Sequence, residues 1–173
     1  KSGKTFKWKV ILELAKQTLL LHPASKDNKD RRSIGFDPNW SWTRRTIADL
    51  VSAGLDDNPN QIRQENRKEV WEVISLVLED PDPDESKDKS VQEKHLEENR
   101  DYLTTAINSI RGVSLQAAIE YGIWIKRNLI LIKQKVWTLE ENAPELSKKL
   151  EDHLDIRKDS SPAIRAIYGQ QLM

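Results

Sequence analysis

The chain has 173 residues, 28 Lys and Arg against 28 Asp and Glu, 37% apolar residues and no cysteine. That length fits one domain or a short helical array. Zero net charge and a pI near 7.1 argue against a dedicated nucleic-acid module, and the missing cysteine excludes disulfides and thiolate metal sites. No apolar run approaches the roughly 20 residues that span a bilayer, and no signal peptide opens the chain. A soluble, cytoplasmic protein with no membrane partner is the expectation. Lys1-Ser2-Gly3-Lys4 at one end and Leu172-Met173 at the other, directly after an apolar helical pattern, are the ends expected of a piece of a longer polypeptide.

The periodicity is helical throughout. Val10, Ile11, Leu14, Ala15 and Thr18 recur at helical spacing, and Leu19-Leu20-Leu21 makes the end of this first helix apolar nearly all round. After Pro23 comes a charged loop to Gly35. Asp37-Pro38 then predicts an N-cap with proline at the first helical position. Trp40, Thr43, Ile47, Leu50 and Val51 form one face of that helix, Arg44, Arg45 and Asp49 the opposite one, and Gly54 stands where a left-handed C-terminal cap would.

Asn58-Pro59 repeats the start signal for a third helix. Its apolar set, Val70 to Leu78, is too wide for a surface helix and predicts burial between neighbours. Asp80-Pro81-Asp82-Pro83-Asp84 stops it, because proline removes a donor and biases the preceding residue away from helix. Nine acids against four bases from Asp80 to Asp101 predict a solvated loop or a weak helix. A long helical run from Leu103 to Ile125 contains Gly112 and Gly122, which imply a kink or the close approach of another helix. Asn142-Ala143-Pro144 and Ser160-Ser161-Pro162 start the last two helices.

No segment alternates with a period of two, so the fold class is all-α: an irregular HEAT-like helical-repeat array or a multi-helix bundle. Residues 1–173 read as a single domain, with helix groups at about 5–80 and 92–173 joined by the acidic, proline-rich loop 80–91. The sharpest repeat signal is Asp159-Ser160-Ser161-Pro162-Ala163-Ile164-Arg165. There proline would open a helix and arginine would tie it to the preceding turn.

Four stretches carry a family resemblance. They are Gly35-Phe-Asp-Pro-Asn-Trp-Ser-Trp-Thr-Arg-Arg-Thr-Ile-Ala-Asp-Leu50, Arg67-Lys-Glu-Val-Trp-Glu-Val-Ile74 with Glu79-Asp-Pro-Asp-Pro-Asp84, Ala106-Ile-Asn-Ser-Ile-Arg-Gly-Val113, and Asp159-Ser-Ser-Pro-Ala-Ile-Arg-Ala-Ile-Tyr-Gly-Gln170. In this order the chain resembles the helical region of very large bacterial multidomain proteins, some of them suspected of roles in phage defence. The resemblance implies an α-solenoid-like segment and carries no catalytic residue onto the chain.

Several chemistry-bearing patterns have simpler readings. Gly3-Lys4-Thr5 looks like the tail of a phosphate-binding loop, and Leu76 to Asp80 like an acidic strand end, but the first glycine and the preceding strand are missing. Asp80, Asp82 and Asp84 mimic a calcium loop that would need glycine at Glu85 and glutamate at Val91; a solvated acidic turn is the expectation. His22 and His153 fall near helix C-termini, where capping or surface placement is expected, and His95 has no companion ligand. Ser109 and Ser114 have no histidine nearby in sequence. The sequence therefore predicts no catalytic residue, cofactor or metal.

Six tryptophans outnumber Tyr and Phe combined. Most read as large spacers between helices, while Trp42 or Trp137 could anchor a partner. Residues 1–36 hold nine bases and three acids, and Lys126, Arg127, Lys133 and Lys135 form a second basic cluster. The candidate interaction surface is Trp42, Arg44, Arg45, Lys126, Arg127 and Lys133. Its expected partners are other domains of a parent protein or another protein. The alternatives are a nucleic-acid-contacting domain, which would need Arg44, Lys126, Arg127 and Lys133 on one face, or part of a nucleotide-dependent regulator.

Overall fold

The computed structural model describes residues 6–24, 37, 39–83, 102–131 and 137–171, and among these are eight α-helices, a 3₁₀ turn and no strand. In chain order they are α1 (Trp8–Leu21), α2 (Ser41–Leu55), the 3₁₀ turn Gln64–Asn66, α3 (Arg67–Leu78), α4 (Tyr102–Ile107), α5 (Ile110–Leu131), α6 (Leu139–Asn142), α7 (Pro144–Leu154) and α8 (Pro162–Gln171). The all-α expectation holds, and the arrangement is a multi-helix bundle.

The 22-residue α5 is its axis. Ile110, Val113, Leu115, Ala117, Ala118, Tyr121, Trp124 and Ile125 are all buried, and at 100° per residue they cover rather more than half of the helix circumference, with Ile123 and Lys126 exposed on the rest. A helix with so wide a buried face has to sit between neighbours. Here α2, α3, α4 and α8 pack against it. Helix α2 runs alongside α5 in the same direction, since Ser52 donates to Glu120 and Arg127 to the Leu55 carbonyl. Helix α3 runs against it, with Trp124 Nε1 donating to Ile62 O at 3.1 Å and Arg67 Nε to Tyr121 Oη at 3.2 Å. On the far side of α3 lies α1, held by Lys16–Glu72 at 2.7 Å and by Trp8 Nε1 on Asn60 O at 2.6 Å. The buried part of α3 is Val70, Val73, Ile74, Val77 and Leu78, one stripe of its wide apolar set, whose Trp71 and Leu76 are only half-buried.

The proline-led starts of α7 and α8 fall where expected. Pro162 opens α8, Ser161 Oγ accepts from Ile164 N at 3.3 Å, and Arg165 reaches back to the carbonyls of Asp159 (2.8 Å) and Ser160 (3.1 Å). Other boundaries differ from expectation. Helix α2 begins at Ser41 rather than Pro38, because Trp40 adopts a left-handed backbone (φ 58°) that turns the chain first. Helix α3 begins at Arg67 and not after Pro59, because a turn and the 3₁₀ segment intervene.

Gly54 is not a cap. It lies inside α2, where a Cβ would come within 2.7 Å of both Ile62 Cδ1 and Trp8 Cη2, so glycine allows α1 and the Ile62 loop to close on α2. The long run from Leu103 divides at Asn108-Ser109 into α4 and α5. Both readings of its glycines apply: a Cβ on Gly112 would lie 2.0 Å from the Ala106 carbonyl oxygen at the kink, and one on Gly122 would lie 2.9 Å from Leu146 Cδ2 of α7. No helix of the described residues is long and apolar enough to cross a membrane.

Candidate interaction surface

The start of α2 is built around one carboxylate. Asp37 Oδ1 accepts from Trp42 N at 3.2 Å, and Oδ2 accepts from Thr43 N and Thr43 Oγ1, both at 2.9 Å. These are the otherwise orphaned donors of a first helical turn, so Asp37 is the cap that the sequence promises, working across a longer turn. Burial works against its ionised form, but the donated hydrogen bonds from Thr43, Trp42 and Ser41 outweigh it and hold its carboxyl below the usual range. With the turn pinned, Trp40 stacks on His22, ring centroids 3.6 Å apart and nearly parallel. Trp42 projects outward, 64% exposed. Arg45, half-buried one turn further on, donates to Ile107 O at 3.0 Å and lies 3.9 Å from Asp49.

Arg44 does not belong to this surface. The wet face expected for it is occupied by Arg45 and Asp49, while Arg44 is buried and its Nε donates to Asp80 Oδ2 at 2.6 Å. Its Nη1 donates to Asn39 O at 2.5 Å. Arg44 is therefore an internal tie between α2 and the end of α3.

The acidic turn is likewise not a solvated one over its described part. Asp80 is 2% exposed, and its Oδ1 accepts from Asp82 N at 2.9 Å. Asp82 in turn caps α5, with Oδ2 on Ile110 N at 3.1 Å and its carbonyl on Arg111 N at 2.9 Å. Arg111 continues the chain of contacts to Pro83 O at 3.1 Å and to Asp159 Oδ1 at 3.5 Å. Asp159 Oδ2 meets His153 Nδ1 at 2.7 Å. Burial would raise the Asp159 carboxyl, yet His153, the Arg111 charge and the Ser161 N–H together bring it below its ordinary value. His153 does occupy the last turn of α7, but it is buried rather than exposed. The motifs from Asp80 to Pro83 and from Asp159 to Arg165 thus meet through Arg111, and they brace the bundle where α2, α5, α7 and α8 end or begin.

This cluster gathers a histidine, an arginine and carboxylates in one largely buried place. His153 Nε2 and Arg111 Nε are buried and find no hydrogen-bond partner among the described residues. The nearest buried hydroxyls in sequence to the α5 start are spent on the helix itself: Ser109 Oγ donates to Ala106 O and Ser114 Oγ to Ile110 O, each at 2.7 Å. A second polar knot lies on α5, where the Tyr121 hydroxyl accepts from Arg67 and donates to Glu145 Oε1 at 3.2 Å. Burial is the main reason that its phenol is pushed up to about 12. No group of three His, Asp or Glu able to hold a metal occurs among the described residues.

The remaining candidate cations are dispersed. Lys126 is exposed, with its ammonium 5.4 Å from the centre of the half-buried Trp137 ring, a cation–π distance. Arg127 closes the C-terminal end of α2 through Leu55 O. Arg44 and Arg127 therefore serve opposite ends of α2, about 16 Å apart at 1.5 Å per residue. Lys133 lies outside the described residues, as do Gly3-Lys4-Thr5, Asp84, Glu85, Val91 and His95. The Leu76 stretch belongs to α3, not to a strand.

Of the predicted set, the structure leaves Trp42, Arg45, Lys126 and Arg127 at or near the surface and removes Arg44. Missed from the sequence were the burial of Asp80 and His153 and the capping of α5 by Asp82. The Asp-Pro spacing at Asp80 and Asp82 serves solvated turns equally well, and His153 carried no signal beyond its place near a helix end. Compared with protein-family models, curated proteins and solved structures, the chain matches none.

Proposed function

We propose that the chain is a non-catalytic helical scaffold and protein-interaction segment of a large bacterial protein. In this reading it works in the cytoplasm and contacts other domains of its parent or another protein. The observation that carries it is Trp42: a large indole 64% exposed on a helix start held by four hydrogen bonds to Asp37. A rigid, exposed aromatic gives contact area at little entropic cost, which is why Trp dominates binding hot spots. Arg45 beside it supplies a charge at the rim. The HEAT-like spacing of the Pro162–Arg165 turn and the resemblance to helical regions of very large bacterial proteins support a scaffold role, in which packed helices hold neighbouring modules at fixed distances.

The test is capture of protein partners from bacterial lysate by wild type and by Trp42→Ala, each with and without nuclease. The expected result is a nuclease-resistant protein that Trp42→Ala loses, while its unfolding free energy stays within about 0.5 kcal/mol of wild type. Capture that disappears with nuclease or moderate salt would replace this reading with nucleic-acid contact.

A further inference from the structure

Among the described residues, Trp40 is the one non-glycine with a positive φ. Its backbone sits at φ 58° and ψ 21°, a left-handed conformation that brings the Cβ of an L residue too close to the following carbonyl oxygen. Asn and Asp offset that cost with local hydrogen bonds; an indole has no such remedy. Such a residue persists only where its surroundings over-determine it. The local sequence pulls the other way. Asp37-Pro38 is the start signal of a helix. A helix begun there would make Trp40 right-handed, with Asp37 capping the N–H groups of residues 39 and 40.

What holds the left-handed form is the end of α1. The Trp40 indole lies flat on the His22 imidazole, with ring centroids 3.6 Å apart and planes within 7°. Trp40 is 37% exposed, so the indole rests on this ring at the surface and is not drawn into the core. His22 is a firm seat: its N–H donates to Thr18 O at 3.0 Å as the C-cap of α1, and Lys16–Glu72 at 2.7 Å ties that helix to α3. With the chain turned at Trp40, the Asp37 carboxylate accepts from Trp42 N and Thr43 N instead. The consequence falls on Trp42. A helical side chain leans back over the turn that precedes it. Here the preceding turn is not helical, so Trp42 has no helical turn to lie over and stands 64% exposed.

We propose that His22 is a positioning residue of the Trp42 surface: by stacking on Trp40 it selects the left-handed turn over a helix start at Pro38, and so keeps the Trp42 indole projecting. The use of this device rests on the reading of Trp42 as a binding anchor; its geometry does not. Through it, presentation of the α2 surface depends on how α1 is docked.

NMR of the protein alone tests it, read at the Cα carbon shifts of residues 39 and 40 and at the relaxation of the Trp42 indole N–H by a soluble nitroxide. His22→Ala should move both shifts to helical values. It should also cut the nitroxide effect on Trp42 by about half, as the indole folds over a helical turn, with the α5 amides unchanged. His22→Phe, which keeps a flat ring against the indole, should restore both readings. Trp40→Gly enters the left-handed region without help, so adding His22→Ala to it should change neither. Capture should follow the same order: His22→Ala should lose the partner that Trp42→Ala loses, and His22→Phe should keep it. Unmoved shifts in His22→Ala, no rescue by His22→Phe, or an equal effect of His22→Ala on the Trp40→Gly background would each overturn the proposal. Because the NMR readings need no partner, they judge His22 independently of capture; a partner that Trp42→Ala retains would sink the binding reading alone.

Discussion

Arg44 lies on the buried face of α2: at 100° per residue it is about 60° from Ile47 and about 20° from Val51, whereas Arg45 and Asp49 fall about 100° and 140° away. Its charge, not its spacing, suggested the wet face, where a guanidinium normally stays. A guanidinium on the buried face needs a partner, and Asp80, 36 residues away, supplies it; that carboxylate is 2% exposed and would itself be an uncompensated buried charge without Arg44. Nothing local in the sequence encodes that pairing. Arg44→Met should therefore destabilise the protein by about 3–5 kcal/mol, the cost of leaving one member of a buried pair alone. Arg44→Met/Asp80→Leu should recover part of that loss, though not all, since Asp80 also holds the Asp82 N–H. Chemical denaturation of the two variants checks both statements. An Arg44→Met protein as stable as wild type would show that the pair is not formed.

Among the elements, legibility followed the reach of the signal. Pro144 and Pro162 open α7 and α8 where proline chemistry says they should, because the N1 position of a helix needs nothing beyond a fixed φ. Asp37-Pro38 carried the same signal, yet the helix waited until Ser41. The His22–Trp40 stack accompanies a left-handed Trp40, and that is a tertiary contact which local propensity does not include. Gly112 was flagged as a kink or a close approach and is both. The α4–α5 break brings the Ala106 carbonyl so near that a Cβ would sit 2.0 Å from its oxygen. Gly112→Ala should cost about 3 kcal/mol, at the top of the overpacking range, and calorimetry should show it as a large drop in Tm. An unchanged Tm would mean that the two helices can separate at little cost.

At the scale of the molecule, the all-α class was open to view because helical period and the absence of strand alternation are properties of the whole sequence. The candidate surface was only partly so. Trp42 was legible as one of two tryptophans two residues apart at a helix start, which cannot share a face; that Trp40 would be the one stacked on a histidine was not. The cation set failed as a unit because burial and carbonyl partners, invisible in one dimension, took Arg44 and Arg127 to opposite ends of α2. What remains is a bundle braced by buried ion pairs, with Trp42 projecting from its surface.

The measurement that tests this account most directly is hydrogen-exchange footprinting of the chain with and without its captured protein partner. Protection is expected at the first turns of α2, around Trp42 and Arg45, with the exchange of α5 unchanged. Protection confined to the α5 end around Lys126 and Arg127, or none at α2, would contradict the assignment of Trp42 as the anchor of the binding surface.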